Sequence, residues 1–329
     1  SLDTYETAQL FQVMNKLKAE GIAIVFITHF LEQVYQVADR ITVLRNGKLV
    51  GSYDVGSLTR IELIAKMIGR SLTEFEEMTR LKAESSGRLG EKLVEAKELS
   101  RTGSMEPFDL DLYAGEVLGF AGLLGSGRTE TAYLLFGVDK PDGGSLRIDG
   151  KEIKGGSPAD FIKQGVALCP EDRKLDGIVD DLTIRENIIM ALQANNGWLR
   201  YLSMAQQREI TDRYIKLLNI VTPSPEQKVK NLSGGNQQKV ILARWLATNS
   251  KVLILDEPTR GIDVGAKAEI QKLVLALAEE GKGCIFISSE LEEVMRCSHR
   301  IAVMRDREKV AEYPGDVSEK VIMQTMAGG

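Results

Sequence analysis

Nine residues, Gly122-Leu-Leu-Gly125-Ser126-Gly127-Arg128-Thr129-Glu130, bring glycines, hydroxyls and a cation together just after the apolar run Val117–Phe120. Glycines let a chain turn sharply, and the N–H groups of such a loop and of the helix it opens can cradle phosphate oxygens. Thr129 offers a hydroxyl that could reach a phosphate-bound Mg2+. Arg128 stands where lysine is the usual phosphate partner, and a planar guanidinium is a different tool from a compact ammonium. Taken alone, a loop of this kind is also compatible with an ordinary turn.

A second constellation narrows the choice. Val252-Leu-Ile-Leu255 reads as a buried strand, and Asp256 and Glu257 emerge at its C-terminal end, where open α/β sheets bind ligands. Asp256 could hold the metal shell and Glu257 could orient or deprotonate an attacking water. The third piece is Leu232-Ser233-Gly234-Gly235-Asn236-Gln237, a serine cap followed by glycines at the start of a helix.

The elements that must position these groups follow from periodicity. Strands are expected at Val117–Phe120, Val252–Leu255, Cys284–Ile287 and Ile301–Met304, and helices over 128–136 and 265–280. Asp142-Gly-Gly and Asp149-Gly150 punctuate a short antiparallel section, and residues 180–250 read as mostly helical. Upstream, the pattern predicts a helix over 4–20, a buried parallel strand over 22–28 and a helix near 30–38. A strand over Ile41–Leu44, a turn at Asn46-Gly47 and a helix over 57–69 follow. Asp3 and Asp263, Gly21 and Gly281, and Arg40 and Arg300 are each 260 positions apart. Self-similarity at so long a spacing means duplicated domains, since solenoid repeats run to about 20–50 residues. Residues 1–70 read as the C-terminal remnant of a first domain, 71–92 as a linker and 93–329 as a complete second domain. The chain is therefore expected to be truncated at its N-terminus.

Composition excludes several classes. A chain of 329 residues, 43% hydrophobic and 27% charged, belongs with globular proteins rather than disordered ones. A net charge of −5 disfavours a dedicated nucleic-acid binder. Cys169, Cys284 and Cys297 are too scattered for a disulfide framework or a zinc site and are expected as buried thiols. No apolar run is long enough to cross a bilayer, so any membrane role would be served from the cytoplasmic side through a partner. His299 is expected at the surface, and Phe108 in a strand core. The Trp198-Leu-Arg-Tyr201 cluster could either dock a permease helix or pack beneath a loop.

With the phosphate loop, the Leu232–Gln237 signature and the Asp256-Glu257 pair in this order, the sequence resembles the ABC-type ATPases. Pro170-Glu171-Asp172-Arg173-Lys174 and Asp256-Glu-Pro-Thr-Arg-Gly-Ile-Asp263 narrow the likeness to tandem ATPase subunits of bacterial monosaccharide importers of the ribose, xylose, galactoside or galactofuranose type. The resemblance implies a P-loop NTPase α/β core with an antiparallel β subdomain and a helical subdomain. It implies ATP and Mg2+ as ligands, with Thr129 and Asp256 at the metal and Glu257 catalytic. His29 matches the family's switch histidine and is the other catalytic residue so implied. Ser289 occupies the switch position of the second copy, Glu171 the Q-loop position, and Asp3 and Asp263 the D-loop aspartates.

In that family two nucleotide domains dimerise head to tail, and each signature helix faces the γ-phosphate held by the other. The implied partners are membrane permease subunits and, indirectly, a periplasmic sugar-binding protein, with no nucleic acid. The implied location is peripheral, on the cytoplasmic face of the bacterial inner membrane. Arg128, Ser289 and Glu171 depart from the family pattern, so the second site is expected to bind ATP and turn it over slowly. The fragment alone is expected to be weakly active or inactive. Two alternatives stand beside this reading: a non-enzymatic nucleotide-binding fragment, and a tandem ABC protein acting on ribosomes or DNA. The second is disfavoured by residues 71–92, which carry five acidic and four basic residues.

Overall fold

The computed structural model describes residues 4–28, 31–45, 48–59, 62–63, 66–67, 89–153, 156–197 and 200–328. The chain divides into two compact units, Ser1–Glu76 with Asp263–Gly265, and Glu77–Ile262 with Ala266–Gly329.

In the first unit, helices Thr4–Ala19 and Leu31–Val37 precede the antiparallel hairpin β1 (Arg40–Arg45) and β2 (Lys48–Asp54). A small cluster of Leu31, Ile41, Val43, Leu58 and Leu63 forms its core. The strand expected over 22–28 is not there. The segment is irregular, with Val25 89% and Ile27 91% exposed. A parallel strand needs neighbours for its N–H and C=O groups and for both faces. Among the described residues of this unit the only sheet is the β1–β2 hairpin, so the β-branched run has nothing to pair with. The turn at Asn46-Gly47, parts of the 57–69 helix and residues 71–88 of the expected linker lie outside the described residues.

The second unit is built on two sheets. The larger has the order β12-β11-β5-β10-β9-β8. Its strands are β5 (Val117–Ala121), β8 (Val166–Cys169), β9 (Val252–Asp256), β10 (Gly283–Ile287), β11 (Arg300–Arg305) and β12 (Glu308–Pro314). All pairings are parallel except β11 with β12. Every residue of β5, β9 and β10 is buried, as central strands covered on both faces require. The smaller antiparallel sheet, β4-β3-β6-β7, uses β3 (Lys92–Arg101), β4 (Met105–Tyr113), β6 (Gly143–Ile148) and β7 (Lys151–Glu152). Phe108 is 5% exposed, a core residue as expected.

The helical part comprises Ile184–Asn196, Met204–Leu217 and Gly234–Ala247. The first two start at capping boxes, Thr183 with Glu186 and Ser203 with Gln206. Arg244, 6% exposed, ties this part together. Its Nε donates to the Asn187 carbonyl at 2.7 Å, Nη2 to Asn187 Oδ1 at 2.9 Å and Nη1 to the Gly177 carbonyl at 2.6 Å. Burial pulls its pKa down to about 10, still high enough to keep the charge at neutral pH. Cys169, Cys284 and Cys297 are free, buried thiols.

His299 corrects the expectation of a surface residue. It is half-buried, and its Nδ1 accepts a hydrogen bond from the Val117 N–H at 2.8 Å. The ring closes off an N–H at the start of β5 that the sheet leaves open.

Candidate functional site

β5 runs into the 122–127 loop, and the helix Arg128–Phe136 starts directly after it. Gly122 permits a close approach, since a Cβ there would lie 2.4 Å from Ser126 Oγ and 2.6 Å from the Met304 carbonyl. Gly125 (φ +76°) and Gly127 (φ +102°) adopt left-handed conformations that a side chain would strain. Ser126 is buried, and its hydroxyl has no hydrogen-bond partner among the described residues. Thr129 and Glu130 are half-buried in the first helical turn.

Arg128 turns away from the loop. Its Nη1 donates to the Ser288 carbonyl at 2.7 Å, and Nη2 lies 3.7 Å from Glu257 Oε1. Glu257 follows β9 in a left-handed conformation (φ +47°) that favours glycine, with its N–H bonded to the Ile287 carbonyl at 2.9 Å. Strain of this kind concentrates at functional sites. Ser289 Oγ donates to Glu257 Oε2 at 3.1 Å. Burial raises the Glu257 pKa, while Arg128 and Ser289 pull it back. Arg128, Glu257 and Ser289 are thus brought into one group.

Asp256 is fully buried at the end of β9, and among the described residues neither carboxylate oxygen accepts a hydrogen bond of normal geometry. Burial pushes its pKa up to about 7. The nearby Thr129 hydroxyl opposes that rise, and the Glu257 and Glu171 charges add to it. A buried carboxylate without partners is expensive, and a divalent cation is one of the few groups that could repay it. Mg2+ commonly takes one or two protein ligands and completes its shell with water and phosphate oxygens. Asp256 with Thr129 fits that donor set. Among the described residues no group of three or more His, Cys, Asp or Glu side chains gathers as a metal cage.

Glu171, at the Q-loop position after β8, is held by an ion pair with Arg260 Nη1. The adjacent Arg173 donates to the Arg260 carbonyl through Nη1 at 2.6 Å and to the Gly261 carbonyl through Nη2 at 3.4 Å. Its guanidinium also covers the first turn of the signature helix, where a Cβ on Gly234 would lie 2.7 Å from Nη2. Ser233 caps that helix by accepting from the Asn236 N–H. Among the described residues, no hydrogen bond or ion pair joins Leu232, Gly235 or Gln237 to the 122–129 loop. Asp263 immediately precedes the helix Val264–Glu279. Asp3, His29 and Trp198 lie outside the described residues.

Sequence reasoning missed Glu293, a buried carboxylate behind the site. It accepts from the Thr259 hydroxyl and from Ser288 Oγ (3.0 Å), and pairs with Lys267 Nζ at 3.2 Å. Burial alone would lower the Lys267 pKa, but Glu293 and Glu290 outweigh it and raise it. The available signal was the aligned pair Gln33 and Glu293, polar side chains at matching positions of the two copies.

Residues 105–260 match the family model described as "ABC transporter". The chain is 49% identical to the fructose import ATP-binding protein FruK of Bifidobacterium longum, over 99% of this chain and 64% of that protein. It is 50% identical to the galactofuranose transporter ATP-binding protein YtfR of Escherichia coli K12, over 99% of this chain and 65% of that protein. The chain therefore spans about two thirds of the length of these relatives, slightly under that fraction in each case. A nucleotide-free ATP-binding cassette from an ABC transporter shares the fold at a TM-score of 0.60 and 21% identity, covering 73% of this chain and 96% of that one. The post-hydrolysis dimer of the cassette MJ0796 bound to ADP and Pi aligns at 0.59 and 22% identity, over 69% of this chain and 100% of that one. Family match, relatives and fold agree on an ABC-type ATPase domain, and over nearly its whole length the chain is similar to bacterial sugar-import ATP-binding proteins.

Proposed function

We propose that this chain is the ATP-binding and ATP-hydrolysing part of a subunit that powers import of a monosaccharide through a membrane permease. The observation that carries this reading is the convergence of the 122–129 loop, Asp256 and Glu257 at the C-terminal ends of β5 and β9, parallel strands with β10 between them. The loop N–H groups and the helix N-terminus bind the phosphates of ATP. Thr129 and Asp256 hold Mg2+, which supplies charge neutralisation at the β- and γ-phosphates. Glu257 accepts the proton of the attacking water, and burial raises its pKa, which makes it a stronger base than an exposed carboxylate. The signature Leu232–Gln237 presents its helix N-terminus to a nucleotide held by a facing nucleotide domain, with Asp3 and Asp263 at the D-loops and His29 completing the other composite site.

ATP drives closure because it binds the closed pair of domains better than the open one. The permease rocks with that closure, and a periplasmic sugar-binding protein delivers the substrate on the far side. The chain sits on the cytoplasmic face of the inner membrane. No helix among the described residues is long and apolar enough to cross a membrane. A fructose- or galactofuranose-type sugar is the favoured cargo class, on the strength of the two relatives. The acidic charge balance argues against a ribosome- or DNA-bound role.

The Arg128–Glu257 contact supports slow turnover at this site, because the base is partly neutralised by the cation beside it. The test is sugar-stimulated ATP hydrolysis by the subunit reconstituted with its permease in liposomes, comparing the unmodified protein with Glu257→Gln. Uptake and hydrolysis that need MgATP support the reading, and uptake indifferent to ATP overturns it.

A further inference from the structure

The β11–β12 hairpin closes with Arg305 paired to Glu308, leaving Asp306 and Arg307 as a two-residue turn. Both are left-handed, with φ +50° and +67°. Such turns favour Asn-Gly, and the matching positions of the first copy are Asn46-Gly47. An arginine at the second position costs strain that a glycine would avoid, which points to work for its side chain.

Arg307 is fixed against the phosphate loop. Its N–H donates to the Ser126 carbonyl at 3.0 Å, and its own carbonyl accepts from the Glu106 N–H at 3.0 Å. Its Nη1 donates to the Gly103 carbonyl at 2.7 Å, and the side chain is exposed, with no carboxylate pair among the described residues. A Cβ on Gly127 would lie 2.9 Å from Arg307 Cα and 2.6 Å from the sulfur of Met105, which is 3% exposed.

Strand order sets the direction of a bound nucleotide. The loop leaves β5, which has β10 and β9 on one side and β11 and β12 on the other. Asp256, Glu257, Ser288 and Ser289 all lie on the β10–β9 side. A nucleotide with its terminal phosphate toward Glu257 therefore sends its base toward the β11–β12 side, where Arg307 stands. Among the described residues no free ring is available there: Phe108 and Phe120 are buried, Tyr113 lies beneath Arg300, and Tyr313 packs with its hydroxyl bonded to Thr325.

We propose that the Arg307 guanidinium, tethered to Gly103 and backed by Met105, is the flat face on which the purine base of the nucleotide stacks. A planar cation against a π-system is favourable, and a guanidinium is flat enough to lie on a base. This inference rests on the nucleotide-binding reading of the 122–129 loop.

The test is calorimetric titration of this chain with MgATP and with magnesium tripolyphosphate, which has the phosphates and no base. Arg307→Gly removes the stack and suits the turn, so its thermal midpoint should not fall. It should weaken MgATP binding roughly five- to tenfold while leaving tripolyphosphate within about twofold. Arg307→Lys keeps the charge without the plane and should lose ATP affinity to a similar degree. Equal losses for ATP and tripolyphosphate, or full ATP affinity in Arg307→Lys, overturn the stacking role and leave nucleotide binding standing. No MgATP binding by the unmodified chain overturns both.

Discussion

Ser288 Oγ donates to Glu293 Oε2 at 3.0 Å, and the same bond is found in the first copy, from Thr28 Oγ1 to Gln33 Oε1 at 3.2 Å. In both copies a hydroxyl just before the proposed switch position is tied to the helix that follows it in the chain. In the second copy the acceptor is charged, and it also holds Thr259 and Lys267. Glu293→Ala would remove one of the two carboxylates that face the mostly buried Lys267 ammonium and leave two hydroxyls without an acceptor. The expected cost is about 2–4 kcal/mol in urea unfolding, and Glu293→Gln should recover part of it. A loss below about 1 kcal/mol would show that the network is not holding the loop.

Arg128 can be asked whether it restrains Glu257. Arg128→Lys keeps a cation at the loop but cannot bond the Ser288 carbonyl and approach Glu257 in the same forked way. Phosphate binding should be retained, and the turnover that depends on Glu257 should rise about three- to tenfold, which is up to about 1.4 kcal/mol of barrier. Single-turnover hydrolysis in the permease-bound subunit gives the answer. An unchanged rate would remove Arg128 from the explanation of slow turnover.

Asp256 carries a pH signature. Its folded pKa is about 7 against an ordinary 3.8, so between those values the folded chain keeps a proton that the unfolded chain has released. The stability linked to this group is complete below its ordinary pKa and is lost as pH rises through about 7. Without metal or nucleotide, Asp256→Asn should flatten that slope and raise the thermal midpoint at pH 8 by roughly 2–6 °C. An identical slope in the variant would place the titration elsewhere. The same variant should lose the Mg2+-dependent part of ATP binding.

Glu171 adds negative charge that raises the pKa values of Asp256 and Glu257. Glu171→Gln removes that charge, so Asp256 should ionise at lower pH, and the pH below which Mg2+ binding is lost should fall with it. Loss of the exposed Arg260 pair should cost under about 1 kcal/mol. A Mg2+ titration monitored by calorimetry distinguishes this from a weakened site.

Much of the second unit was legible because its strands are short apolar runs punctuated by glycine, and buried parallel strands announce themselves that way. Loop 122–129 and the Asp256–Glu257 pair could be read as a site because both follow such strands. Residues 22–28 carry the same signature and failed, since a β-branched run supplies only half of a ladder and the partners must come from elsewhere. Glu293 and Arg307 were invisible for another reason. Their importance comes from what lies across the fold, and neither stands in a local pattern that spells out the contact. His299 likewise reads as a surface residue until β5 is seen to need an acceptor.

Arg244 bonds at once to Asn187 in the helical part and to Gly177, the last residue of the turn that follows Arg173. The 170–177 segment is thereby fastened at both ends, to the three-helix part through Gly177 and to the residues after β9 through the Arg173 and Glu171 contacts with Arg260. Any displacement of those helices has to be absorbed by one of these two attachments.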